Sequence, residues 1–130
     1  MTIESRNPAT GDLIESFLVH DDEAVAAVLR ESDEAFRAWR VTPFAERAAC
    51  LNHAAVILRE QKTALGKLMA REMGKPVVEG EAEAEKCAWV CEHYAEHGEA
   101  MLTAEPVVTD AARSYVRFDP LGTILAVMPW

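Results

Sequence analysis

The sequence predicts an α/β fold, with a helical middle flanked by short strands, and three observations carry that prediction. Apolar residues recur at helical spacing through most of the chain from Asp21 to Leu102. Short β-prone runs stand before and after this region. The final stretch, Thr-Ile-Leu-Ala-Val-Met-Pro-Trp at 123–130, is a continuous apolar run closed by Pro129. Such a run, preceded by Pro120-Leu121-Gly122, reads as a strand buried on both faces, which is the pattern of a parallel sheet. A parallel neighbour is reached only through a crossover of about a dozen residues or more, and Trp130 is the last residue of the sequence. The expectation is therefore a truncated fold, with Thr123–Trp130 as the first strand of a sheet whose remainder is absent.

In order, Ile3–Ser5 and Leu13–Val19 flank Asn7-Pro8-Ala9-Thr10-Gly11, where Pro fixes one φ and Gly frees another. This predicts a β hairpin. Between Asp21 and Arg40, Val25, Val28, Leu29, Ser32, Phe36 and Trp39 share one stripe, with Asp21 or Asp22 as the cap. Thr42 is expected to cap a second helix running to about Gln61, with Pro43 in its first turn and a stripe of Phe44, Ala48, Leu51, Ala55 and Leu58. Leu65, Leu68, Met69 and Met73 repeat the pattern until Gly74-Lys75-Pro76 supplies a left-handed cap, a cation at the dipole's negative end and a stop. A further helix starts near Val78 and breaks up after Gly98. Val107–Thr109 and Tyr115–Phe118 then read as two antiparallel strands around 110–113, a polar-faced arm. The expected core is Val28, Phe36, Trp39, Leu51, Leu58, Leu68, Met69, Cys87 and Cys91.

Composition narrows the function classes. Half of the 130 residues are hydrophobic, enough for one domain with a core and too few for two. A net charge of -9 argues against nucleic acid and anionic membrane surfaces, which call for clustered Lys and Arg. Cys50, Cys87 and Cys91, odd in number and unevenly spaced, make no disulfide framework, and nothing near Met1 resembles a signal peptide. The expected setting is the cytoplasm. No run approaches the ~20 apolar residues of a membrane helix.

Several residues invite chemistry and are better read as structure. Glu79, Glu81, Glu83 and Glu85 alternate, so they do not face one another and are expected to be solvated charge near a helix N-terminus. Cys87 and Cys91 share one helix face, and His93 and His97 share another, so one helix cannot wrap a tetrahedral ion with all four; no metal is expected. Cys50 and His53, three apart, could pair as nucleophile and base, but a mid-helix thiol beside Leu51 and Ala54 is expected to pack as a small apolar group. No Gly-x-Gly-x-x-Gly, P-loop or Ser/His/Asp arrangement is present.

Four segments carry a resemblance. Asn7-Pro8-Ala9-Thr10-Gly11, Glu72-Met73-Gly74-Lys75-Pro76, Tyr94-Ala95-Glu96-His97-Gly98 and Arg117–Trp130, in this order and at these separations, resemble the opening of the aldehyde dehydrogenase family. Glu96–Leu102, Ala104-Glu105-Pro106 and Pro120–Ala126 are similar to its bacterial succinate-semialdehyde branch. The resemblance implies NAD- or NADP-dependent oxidation of a small aldehyde in a homo-oligomer. A cysteine thiolate attacks the aldehyde, hydride leaves for the nicotinamide, and a glutamate-activated water hydrolyses the thioester. The family's nucleophile, base and oxyanion-binding asparagine match no position here, so the catalytic assignment is empty and these 130 residues alone are expected to be inactive. Met128, Pro129 and Trp130 match the family's cofactor wall, at the carboxyl end of a strand where open α/β sheets bind ligands. The implied division is a hairpin and helical part of the cofactor-binding domain over 1–106, an oligomerisation arm over 107–119, and the first strand of the dinucleotide-binding sheet over 120–130. The alternative is a non-catalytic interaction module of helices plus a β arm.

Overall fold

The computed structural model describes residues 1–128. Strands β1 (Thr2–Arg6) and β2 (Leu13–Leu18) form the antiparallel hairpin, in register Thr2 to Leu18 through Ser5 to Glu15, with an irregularity between Ser5 and Arg6. Its turn is built as the sequence dictates. Asn7 Oδ1 accepts from Ala9 N at 2.9 Å, Gly11 N donates to Asn7 O at 2.8 Å, and Gly11 takes φ 78°. The hairpin docks on the end of the third helix through Ser5 Oγ, which donates to Glu72 Oε1 at 3.0 Å.

Four helices follow: α1 (Asp22–Trp39), α2 (Phe44–Glu60), α3 (Lys62–Met73) and α4 (Val77–Met101). Asp21 caps α1 by accepting from Ala24 N at 2.8 Å. Thr42 does not cap α2. Its hydroxyl turns back to Ala38 O at the end of α1, and Pro43 occupies the cap position without a side-chain bond. Gly74 closes α3 at φ 76°, donating to Ala70 O, as the Gly-Lys-Pro stop predicts. Helix α4 continues through Gly98 to Met101, past the expected break. A single glycine costs a helix about 1 kcal/mol, too little to end a helix packed along its length.

Helices α2, α3 and α4 form one packed layer, with α4 lying along both of the others. The seam is made of small residues: Ala55, Ala84 and Ala88 are buried, as are Gly66 and Gly80. A Cβ added to Gly80 would stand 2.8 Å from Gly66 Cα, and one added to Gly66 would stand 2.9 Å from Val77 O. The expected core of large side chains is therefore not observed. Val28, Trp39 and Leu68 are 49%, 48% and 45% exposed, and Cys87 is exposed. Phe36, Leu51, Leu58, Met69 and Cys91 are half-buried. Where backbones touch, only Gly and Ala fit between them, so the larger side chains are displaced to the flanks of the seam.

Among the described residues helix α1 shares no extended seam with another element. Its elbow with α2 is held by Arg47, whose guanidinium donates to Thr42 O at 2.9 Å and Arg40 O at 3.2 Å and lies near the rings of Trp39 and Phe44. The arm is shorter than expected and its first strand is displaced: Val107–Thr109 is not a strand, and the pairing falls at Glu105–Pro106 just before it. Strands β3 (Glu105–Pro106) and β4 (Tyr115–Val116) pair antiparallel, Glu105 opposite Val116, and Val107 N extends the ladder to Ser114 O at 2.9 Å. The strand expected over Thr123–Trp130 is not formed within 123–128, and Pro129 and Trp130 lie outside the described residues. A parallel strand takes its hydrogen bonds from neighbours in the sheet, and the described residues contain only two antiparallel pairs.

Candidate functional site

The segment expected to carry the site runs from the arm past α1. Arg117 forks onto Asp119 Oδ2, its Nε at 3.0 Å and its terminal nitrogen at 2.8 Å, and this contact raises the Arg117 pKa further. Gly122, at φ 129°, turns the chain where a side chain would be strained. Thr123 Oγ1 then donates to Ser32 O at 3.2 Å and tethers the segment beside α1. The two elements enclose an open groove lined by Ala35, Phe36, Trp39, Thr42 and Gly122. Leu121 before the tether and Ile124, Leu125 and Val127 beyond it are exposed, and Met128 is 68% exposed. Of the three expected cofactor-wall residues, Met128 alone is described, an uncovered apolar side chain in a segment with no regular secondary structure.

The strongest charge constellation lies elsewhere. Arg59 of α2 meets Glu85 Oε1 at 2.7 Å and grips both oxygens of Glu92, Oε2 at 2.7 Å, while Lys62 stands 3.7 Å from Glu85. Lys75 binds Glu83 in the same way. The hydrogen bonds that Arg59 donates to Glu92, and then to Glu85, push its pKa up. Arg59 in turn holds both carboxyls below the usual glutamate value, with Lys62 adding to the effect at Glu85. Glu85 is thus an interhelical partner, and Glu83 ties α4 to the connection that precedes it; neither is merely solvated charge. The spacing of Glu85 and Glu92, seven apart on one stripe of α4, opposite a cation-bearing end of α2, was the signal available in the sequence.

The remaining candidates do not assemble into a catalytic centre. Cys50 and His53 are both exposed and no hydrogen bond joins them, so Cys50 is not the packed apolar group expected of it. Cys87 is exposed and Cys91 half-buried. Among the described residues no group of three or more His, Cys, Asp and Glu is placed to hold a metal ion, and no helix is long and apolar enough to cross a membrane.

Comparison with known proteins decides the lineage. The family model described as "Aldehyde dehydrogenase family" matches residues 1–130. The chain belongs to the aldehyde dehydrogenase family. It is 44% identical over 130 residues to a probable succinate-semialdehyde dehydrogenase [NADP(+)] of Synechocystis, covering all of this chain and 29% of that protein. It is 39% identical over 126 residues to the succinate semialdehyde dehydrogenase [NAD(P)+] Sad of Escherichia coli, covering 97% of this chain and 27% of the relative. The structure superposes with a TM-score of 0.81 on succinic semialdehyde dehydrogenase from Streptococcus pyogenes, solved in complex with NADP+, at 28% identity over 86% of this chain and 25% of that one. The chain thus spans less than a third of the relatives it matches, and its four helices with two small antiparallel pairs reproduce that part of the family's α/β fold.

Proposed function

We propose that this chain is the N-terminal portion of an NAD(P)-dependent aldehyde dehydrogenase that oxidises succinate semialdehyde to succinate in the cytoplasm. The observation that carries the reading is the 44% identity running through the whole chain to a relative named for that activity. In this reading residues 1–106 support the cofactor-binding domain, 107–119 form an arm whose free strand edges meet another subunit, and 120–130 enter the dinucleotide-binding sheet. The short β3–β4 ladder, with no third strand beside it among the described residues, supports the second assignment.

Met128, Pro129 and Trp130 would form one wall of the cofactor site. The exposed side chain of Met128 suits an apolar surface laid against a ring, and supplies no donor for a phosphate. The sequence has no Gly-rich phosphate loop to complete such a site. When bound, the dinucleotide supplies the hydride acceptor. The contribution of these residues is to orient it and exclude water from one side. The 130 residues alone should turn over no aldehyde.

The test is reduced-cofactor absorbance on mixing the intact protein with succinate semialdehyde and either NAD+ or NADP+. Turnover several-fold faster than with a longer or uncharged aldehyde is the expected outcome. A preference for an uncharged aldehyde would refute the substrate. Turnover by the isolated 130 residues, abolished by Cys50→Ser, would refute the assignment of catalysis to other parts of the protein.

A further inference from the structure

One constellation on α4 has no place in the proposed reaction. Cys87 and Cys91 occupy one face and His93 and His97 another, which removes a four-donor site but leaves each pair intact. The histidine pair has the defined geometry. Its two imidazole rings lie with centroids 4.6 Å apart at an interplanar angle of 63°, on residues that are both exposed. Residues four apart stand one turn above another, and helical side chains lean toward the N-terminus, so His97 leans back over His93. Neighbouring rings restrict the swing of His93: Trp89 lies 6.5 Å away and Tyr94 sits edge-on at 5.3 Å. The nearest carboxylate, Glu96 Oε2, is 3.8 Å from His97 Nε2, too far for a hydrogen bond. Each neutral ring therefore retains a nitrogen lone pair for a ligand.

We propose that His93 and His97 form a two-nitrogen surface site for a divalent transition-metal ion of the Ni2+, Cu2+ or Zn2+ class. Imidazole nitrogen suits these ions, and two histidines four apart on one helix face is a spacing that places both on a single metal. Mg2+ and Ca2+ are excluded by their demand for oxygen ligands. Two protein donors leave the other coordination positions to water, so the ion exchanges readily and a chelator strips it, unlike a closed four-donor zinc.

The test is calorimetric titration of Ni2+ into the intact protein and into His93→Ala, His97→Ala, the double histidine variant, and Cys87→Ser/Cys91→Ser. Far-ultraviolet circular dichroism should be unchanged throughout, since both histidines are exposed. Each single histidine substitution should weaken the site about tenfold or more, no less than loss of an outer-sphere partner costs at an established metal centre. The double variant should lose the site, and the cysteine variant should bind as the parent does. Undiminished binding in the double histidine variant, loss in the cysteine variant, or no binding by the parent protein would each overturn the proposal.

Discussion

Replacing Gly80 with alanine tests the packing of the helical layer most directly. The new Cβ would lie 2.8 Å from Gly66 Cα and 3.2 Å from Gly66 O, both backbone atoms that cannot rotate away. Overpacking of this kind costs about 1–3 kcal/mol, while the change from Gly to Ala inside a helix returns about 0.8–1 kcal/mol of propensity. The net expectation is a loss of roughly 0–2 kcal/mol. Gly98 is the internal control, because a Cβ there meets nothing within 4 Å. Gly98→Ala should therefore stabilise, by up to about 1 kcal/mol. Urea denaturation followed by circular dichroism gives both values, with an unchanged slope showing that the denatured state is not the cause. Gly66→Ala should also destabilise, and the double variant should depart from additivity because the two glycines share one contact. A Gly80→Ala protein stabilised as much as Gly98→Ala would refute the close crossing of α3 and α4.

Arg59→Ala should weaken the α2–α4 clasp and change its acid response. Glu85 and Glu92 have folded-state pKa values below the ordinary glutamate value, so their contribution is full above that value and is lost as pH falls through the folded pKa. The parent should lose stability steeply below a pH of about 4.3, and Arg59→Ala less so, as read from urea midpoints across that range. Asp21→Ala removes the acceptor for Ala24 N and should cost about 0.5–2 kcal/mol, with the loss confined to α1 amides in hydrogen exchange. Gly74→Ala forces φ 76° on a side-chain-bearing residue and should cost about 1–2 kcal/mol in the same denaturation assay. Chelator-washed protein should hold no zinc by elemental analysis.

Local chemistry was legible where it acts over one turn. The hairpin turn, the Asp21 cap and the Gly74 stop follow from Asn, Asp and Gly placing their own backbone groups, with no help from distant residues. The core was not legible in the same way. Periodicity marks Val28, Trp39 and Leu68 as apolar, but cannot say which stripe meets another helix or that the meeting surface is Gly66 against Gly80. The same limit applies to the last segment. Its β-branched run states a preference for a sheet, while a strand exists only with a partner. The site residues were placed by motif resemblance, since nothing local to Met128 distinguishes a cofactor wall from an apolar strand end.

The elbow at Arg47 has a consequence for how the protein comes apart. One guanidinium closes two carbonyls and lies near two aromatic rings, and α1 has no long seam to back it up. Elements with few buried contacts open at free energies well below global unfolding. Helix α1 should therefore detach as a unit while α2, α3 and α4 remain folded, making it the first part of this chain offered to a protease. A lysine at 47 would keep the charge but lose the planar fork that spans both carbonyls. The resistance of eighteen helical residues to cleavage thus rests on a few side chains outside that helix, Arg47 foremost among them.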